Sequence, residues 1–249
     1  MKSIIFAFLL FFTSLSFSQS YSCDRDSLKR VRITSNTLPN AYTCYMELQR
    51  GNGMPRLATG FLIHPRVVLT AGHNVAWYPN GSVKKVDMYF GSLDSVTYLA
   101  KETIKLKKNK NKFYKGNYYI FDNIKRDYAI VILPDSAVYK KVKGHYKIKP
   151  IRQVKVDSLT ITGAPKDKPK FEMWTETTTN YQQFNSFLKY DLYTLPRNSG
   201  SPIWYKEDNE YHIIGVHSRK YGSCGASVLI TPKIYKQIKK WCKKAGIDL

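Results

Sequence analysis

Residues 58–73 read ATGFLIHPRVVLTAGH. Residues 58–63 and 67–71 are apolar runs rich in β-branched and aromatic side chains, and each predicts a β-strand. A His-Pro-Arg turn at 64–66 separates them, so the pattern predicts a hairpin. His73 then follows directly after the second strand, where a side chain is well placed to act at the edge of a sheet.

Short apolar segments alternate with turn residues along the rest of the chain, which predicts an all-β protein. Further strands are expected at 83–91, 96–106, 128–133, 154–162, 171–178, 184–192, 202–205, 211–217 and 226–230. A basic and weakly patterned link is expected over 136–150. The chain is predicted to end in a helix over about 232–245, because Ile234, Ile238 and Trp241 share one helical face.

The N-terminus carries the pattern of an export signal. Lys2 precedes a nearly unbroken apolar stretch, and small residues surround a cleavage point near residue 18. We therefore expect a signal peptide over 1–18 and a possible pro-segment over 19–30. No later stretch is long and apolar enough to be a transmembrane segment. The expected protein is secreted and monomeric.

The chain has four cysteines, Cys23, Cys44, Cys224 and Cys242. Export permits disulfides, and four cysteines allow three pairings. Pairing of sequence neighbours is the simplest expectation, which joins Cys23 to Cys44 and Cys224 to Cys242. None of the cysteines has a Cys-x-x-Cys spacing, so they predict no zinc site. No other spacing in the chain calls for a metal, and we expect no cofactor.

The formal net charge is +22. Such a charge attracts anionic partners, including acidic proteins and anionic polymers. The densest basic patch is residues 105–112. No nucleic-acid-binding motif accompanies it, so we interpret it as a solvated loop and expect no specific nucleic-acid partner.

Three segments carry the chemistry. His73 ends the hairpin, Asp127 precedes the apolar run 128–133, and Ser199 lies in the turn Asn-Ser-Gly-Ser-Pro at 198–202. A serine hydroxyl needs a base to accept its proton, and an imidazole needs a carboxylate to orient it. His73, Asp127 and Ser199 are therefore the candidate catalytic residues. The backbone N–H groups of Arg197 and Ser199 are the candidate oxyanion donors.

The chain resembles a known family from about Tyr42 to Trp241, most strongly in its second half. The motifs are YDLYT at 190–194, NSGSP at 198–202, TITGAP at 160–165 and IGVH at 214–217. With the His73 and Asp127 segments, they resemble trypsin-like serine proteases of the chymotrypsin fold, in particular the bacterial glutamyl endopeptidases. The resemblance implies two antiparallel β-barrels with the site between them, in a first unit over 31–140 and a second over 141–249 that also contains the terminal helix.

The resemblance also implies a substrate preference. In glutamyl endopeptidases a histidine and a threonine at the positions of His217 and Thr194 bind the side-chain carboxylate of the substrate. A freed N-terminal amine contributes, and cleavage after Lys29-Arg30 would expose that of Val31. The expected substrates are proteins or peptides, acidic ones above all, cut after glutamate and also after aspartate.

Two alternatives to this function stay open, and one departure from the family pattern favours the second of them. Arg197 stands where the family commonly has glycine, and a glycine there eases the backbone geometry of the oxyanion donor. The alternatives are the same protease fold with another side-chain preference, and a weakly active or inactive basic module that binds anionic polymers.

Overall fold

The computed structural model describes residues 23, 29–51, 53–75, 83–105, 113–116 and 124–249. The expected signal peptide, most of the expected pro-segment and most of the basic patch at 105–112 lie outside these residues. Within them, the fold is mostly β, with two curled antiparallel sheets and a C-terminal helix. The predicted fold class is confirmed.

The first sheet takes its strands from the first half of the chain: β2 (Thr43–Gln49), β3 (Arg56–His64), β4 (Val67–Thr70), β5 (Lys85–Phe90), β6 (Ala100–Lys105), β7 (Phe113–Lys115) and β8 (Ala129–Ile132). Their spatial order is β6-β5-β2-β3-β4-β8-β7. The short helix α1 (Gly72–Val75) follows β4, and 3-10 turns lie at Asn40–Tyr42 and Ile124–Arg126.

The second sheet consists of β1 (Val31–Arg32), β9 (Lys147–Ile148), β10 (Leu159–Gly163), β11 (Trp174–Thr178), β12 (Tyr181–Phe184), β13 (Phe187–Tyr190), β14 (Pro202–Glu207), β15 (Glu210–Tyr221) and β16 (Cys224–Leu229). Their spatial order is β1-β11-β10-β14-β15-β16-β13-β12, and β9 pairs in parallel with β15. The strand β1 comes first in the chain and yet pairs with β11 of this second sheet. The N-terminal segment therefore crosses from one half of the molecule to the other.

Most of the expected strands are found, and the differences have local causes. The strand expected at 96–106 begins only at Ala100, because the Asp94 carboxylate accepts the N–H groups of Val96 and Thr97 and forms a turn. The link expected over 136–150 contains a helix, α2 (Ala137–Val142). Its Val138 and Val142 are buried one turn apart, a helical spacing that the lysines around them obscured.

The terminal helix α3 (Pro232–Lys244) matches the prediction closely. Thr231 caps its N-terminus, with its hydroxyl accepting the N–H of Ile234 at 3.3 Å. Ile234, Ile238 and Trp241 are buried against a core cluster that includes residues of both sheets. No helix in the described ranges has the length and apolar character needed to cross a membrane.

The expected disulfide pairing is wrong. Cys23 is bonded to Cys224 at the start of β16, with their Cα atoms 5.2 Å apart, and Cys44 and Cys242 are free thiols. Cys44 lies inside β2 and Cys242 on the buried face of α3, so both are core side chains. Pairing by sequence distance fails because the sheets bring residues 201 positions apart into contact.

This pairing predicts a simple alkylation pattern. In denaturant without reductant, iodoacetamide should modify Cys44 and Cys242 and leave Cys23 and Cys224 unmodified, as read by peptide mass spectrometry. The denaturant is needed because both thiols are buried and burial raises their pKa, that of Cys242 to about 11. Reduction before alkylation is the control and should expose all four. Modification of Cys23 or Cys224 before reduction would contradict the pairing.

Candidate active site

His73 and Asp127 are joined by two hydrogen bonds. The ring Nδ1 of His73 lies 2.7 Å from Asp127 Oδ2, and the backbone N–H of His73 donates to Asp127 Oδ1 at 2.8 Å. His73 lies in α1, directly after β4, and Asp127 lies two residues before β8. Because β4 and β8 are paired neighbours, the sheet places the two side chains together. The carboxylate thereby orients both the backbone and the ring of His73.

Asp127 is fully buried and accepts a third hydrogen bond, from the hydroxyl of Ser218 to Oδ2. Burial by itself would raise the pKa of Asp127. The charge of His73 and the hydrogen bonds from His73 and Ser218 outweigh that effect and hold the pKa below its usual value. The carboxylate is therefore ionised at neutral pH. The sequence analysis missed Ser218, because its contact with Asp127 joins segments 91 positions apart in the chain.

Ser199 lies in the tight turn that precedes β14. Its hydroxyl donates to the backbone carbonyl of Ser218 at 3.2 Å, and it lines the same cleft as His73. Gly200 follows with a φ of 89°, and a Cβ at this position would lie 2.1 Å from the carbonyl oxygen of Thr59. Only glycine fits this turn, which holds Ser199 at the surface of the cleft.

The backbone of Ser199 is anchored to the first sheet. Its carbonyl accepts the N–H of Thr59 at 3.0 Å and the side-chain amide of Asn74 at 2.9 Å. Asn74 is buried beside His73 in the chain and also donates to Thr70 Oγ1 at 2.9 Å. Thr59 and Asn74, both missed by the sequence analysis, therefore fix the position of the serine turn relative to His73.

Arg197 adopts a φ of 80°, a conformation that favours glycine. Its carbonyl accepts the Thr59 hydroxyl at 2.9 Å, and its Nη1 donates to the carbonyl of Lys168 at 3.3 Å. Within the described part of the chain, the backbone N–H groups of Arg197 and Ser199 donate to no acceptor. Arg197 thus takes up a glycine-like backbone that two hydrogen bonds stabilise, and neither N–H group has an acceptor among the described residues.

The cleft between the two sheets has a volume of about 740 Å³. His73, Ser199, Thr194 and His217 all line it, whereas Val31 lies in β1 and is not among the described lining residues. His217 is 2% exposed, and its Nδ1 lies 2.7 Å from the hydroxyl of Tyr190. Burial, and to a lesser extent the electrostatic interaction with His73, lower the pKa of His217 to about 3, so its imidazole is neutral at neutral pH.

A family model described as "Trypsin-like peptidase domain" matches residues 58–216, more than half of the 249 residues. This chain belongs to the trypsin-like peptidase family. The matched region contains the His73, Asp127 and Ser199 segments. Among the described residues, no group of three or more His, Cys, Asp or Glu side chains is arranged to hold a metal ion.

Curated relatives of this trypsin-like peptidase include two named glutamyl endopeptidase. The one from Staphylococcus epidermidis is 35% identical over 71 residues, which is 27% of this chain and 24% of the relative. The one from Staphylococcus aureus (strain MW2) is 40% identical over 60 residues, 24% of this chain and 17% of the relative. The match thus spans a quarter or less of the length of these relatives.

Solved structures share the fold of this trypsin-like peptidase at low identity. A Glu endopeptidase in complex with MPD has a TM-score of 0.73 and 22% identity, over 85% of this chain and 95% of that one. The protease Anisep from Arthrobacter nicotinovorans has a TM-score of 0.68 and 15% identity, over 86% and 100%. At these identities the likeness concerns the fold.

Arg30, the residue before Val31 in this trypsin-like peptidase, is fixed by its contacts. The Arg30 guanidinium forms two hydrogen bonds to the Asp167 carboxylate, at 2.9 and 2.6 Å, and lies 4.6 Å from the centre of the Tyr193 ring. Its side chain is 4% exposed. Tyr193 immediately precedes Thr194, so Arg30 packs behind the cleft wall that Thr194 forms.

Glu176 of β11 supports the same wall. It is 4% exposed, and its carboxylate accepts the backbone N–H of Tyr193 at 2.9 Å. Burial raises its pKa to about 7, and the hydrogen bond from Tyr193 and the charge of Arg30 oppose the increase. The Tyr193–Thr194 segment therefore rests on a carboxyl group that titrates near neutral pH.

Proposed function

We propose that this trypsin-like peptidase is a secreted serine endopeptidase that uses His73, Asp127 and Ser199 and cuts after glutamate, and also after aspartate. The observation that carries the proposal is the 2.7 Å contact between His73 Nδ1 and Asp127 Oδ2, with Ser199 on the same cleft. A buried carboxylate behind an imidazole makes that imidazole a base able to activate an alcohol. The relatives named glutamyl endopeptidase support the preference for glutamate.

The reaction divides into two acyl transfers. The Ser199 hydroxyl turns from the Ser218 carbonyl to His73 Nε2, gives up its proton and attacks the peptide carbonyl carbon. The carbonyl oxygen becomes an oxyanion and accepts the N–H groups of Arg197 and Ser199. His73 then delivers the proton to the leaving amine, the C–N bond breaks, and water hydrolyses the acyl-enzyme by the same route in reverse.

Thr194 and His217 form the proposed pocket for the substrate's side-chain carboxylate. Both are buried and line the cleft. The Tyr190 hydroxyl lies 2.7 Å from Nδ1 of the neutral His217. In the proposed tautomer the hydroxyl donates to Nδ1, and the ring proton is on Nε2, where it can be donated to the substrate. A carboxylate that accepts bonds from Nε2–H and from the Thr194 hydroxyl is held more strongly than a neutral amide.

Two parts of the proposal rest on processing and export. Val31 is one of the proposed substrate-binding residues, because cleavage after Arg30 would expose its backbone amine. The Cys23–Cys224 disulfide supports an oxidising destination, because such bonds persist outside the reducing cytosol. It would also keep Cys23 attached to the protein after that cleavage.

The preference is tested with peptides that differ in the residue before the scissile bond. We expect kcat/KM for Glu to exceed that for isosteric Gln by about ten- to a hundredfold, as for a hydrogen bond to a charged group. Thr194→Val should reduce the rate on Glu peptides by a similar factor and change the rate on Gln peptides little. Thr194→Ser keeps the hydroxyl and is the matched control.

The assay also separates the alternatives. Selective cleavage after Arg or Phe would replace the glutamate preference with another one. The absence of all cleavage, together with salt-sensitive binding to an anionic polymer, would contradict the proposed enzyme and favour a basic binding module.

A further inference from the structure

The cleft walls carry many positive charges. No carboxylate lines it among the described residues. Five cationic residues do: Arg50, Arg56, Arg197, Arg219 and Lys220. His217 adds no charge at neutral pH, because its pKa is lowered to about 3. Asp127 is fully buried behind His73. A substrate in this cleft therefore meets a positive field along its length, beyond the pocket for one side chain.

Two of the five cations belong to the hairpin formed by β2 and β3. Arg50 follows β2, and its Nη2 donates to the carbonyls of His73 at 3.1 Å and Asn74 at 3.0 Å. Its guanidinium is thus fixed next to the candidate base. Arg56 begins β3 opposite Leu48 and is exposed at the rim of the cleft.

The position of this hairpin indicates which part of a substrate it meets. Thr194, His217 and Ser218 lie in the second half of the chain and border the proposed pocket for the acyl side of the scissile bond. His73 must reach the leaving amine, so the leaving portion continues past His73 toward the first sheet. The cleft wall there is formed by Leu48, Arg50, Arg56 and Leu57.

We propose that Arg50 and Arg56 form a second acidic-residue subsite, which binds a glutamate or aspartate one to three positions after the scissile bond. The inference rests on the proposed endopeptidase and extends its substrate class to peptides that are acidic on both sides of the cut. Arg219 and Lys220 follow His217 along β15 and line the cleft on the acyl side. The enzyme would thus favour clusters of acidic residues over isolated ones.

The experiment compares peptides with glutamate before the scissile bond and Glu, Gln or Lys at each of the next three positions. Because Arg56 is exposed to solvent, its contact with one substrate charge should be worth about a two- to fivefold difference in kcat/KM between Glu and Gln. Lys should be disfavoured relative to Gln. The Glu preference should shrink as salt rises from about 0.05 to 0.5 M, since the Debye length falls.

Variants assign the preference to the hairpin. Arg56→Gln should abolish most of the preference for Glu over Gln and leave the rate on Gln peptides nearly unchanged. Arg50→Gln should reduce this preference further. Arg152→Gln removes the same charge from an exposed position that does not line the cleft, and it should leave the preference intact. This control excludes an effect of net charge alone.

Two outcomes would overturn the inference and are distinct from failure of the proposed function. Equal cleavage of Glu and Gln peptides at all three positions would overturn it, as would a preference that survives both hairpin variants. If no peptide is cleaved, the proposed function fails. Binding of the same peptides to Ser199→Ala, measured by fluorescence anisotropy, then still compares Glu with Gln, and equal binding would overturn the subsite.

Discussion

Ser199→Ala should reduce kcat for peptide hydrolysis by about 10⁶-fold, the size of loss seen when a serine nucleophile is removed from an intact triad. Without the hydroxyl, no acyl-enzyme forms, and His73 has no alcohol to activate. The measurement is single-turnover and steady-state hydrolysis of a Glu-containing peptide. Labelling by a fluorophosphonate, followed by peptide mass spectrometry, should place the adduct on Ser199 in the unmodified enzyme and find none in the variant.

Ser201→Ala is the matched control, because it removes a hydroxyl two residues further along the same turn. Ser201 is fully buried, and its hydroxyl has no hydrogen-bond partner among the described residues. Its loss therefore leaves no group unpaired and should change activity only a few-fold. Activity of Ser199→Ala near that of the unmodified enzyme would show that the nucleophile is another residue.

Asp127→Asn should lower kcat at neutral pH by about 10⁴-fold while keeping the fold. The carboxylate accepts three bonds: the His73 N–H, the His73 Nδ1–H and the Ser218 hydroxyl. An amide has only one oxygen, so its NH₂ group must face a former donor. When it faces Nδ1, the imidazole proton moves to Nε2, and His73 can no longer accept the proton of Ser199.

The measurement for Asp127→Asn is kcat over pH 6 to 10, with thermal unfolding as a check on folding. Asp135→Asn is the control, since Asp135 is exposed and accepts only the N–H of Ala137 among the described residues. It should leave kcat unchanged. A loss of less than about tenfold in Asp127→Asn would contradict the assigned role, because orientation of the base accounts for most of the expected effect.

Much of the fold could be predicted from local patterns. The hairpin of β3 and β4 and the helix α3 follow from apolar periodicity, a turn at 64–66 and a capping threonine before a proline. Elements with weak periodicity were less predictable. The helix α2 has only two buried valines among lysines, and β12 is a short strand with half-exposed side chains.

The site was predictable only in part. The order of their motifs predicted that His73, Asp127 and Ser199 form one candidate group. Each of the three residues lies just before or just after a predicted strand, and such residues can meet at the edge of a sheet. Residues that support the group carried no separate signal. Thr59 and Asn74 hold the Ser199 carbonyl, and Ser218 donates to Asp127, through contacts between segments far apart in the chain.

By itself, the sequence determined the β architecture, the family and the identity of the candidate catalytic residues, because these depend on periodicity and on short contiguous motifs. Only the tertiary structure decided the Cys23–Cys224 pairing, the neutral state of His217 and the placement of Arg50 and Arg56 on the cleft that His73 lines. Each of these depends on which distant segments pack together and how deeply they are buried. Burial and long-range contact set charge state and bonding partner, and neither can be read from residues that are neighbours in the chain.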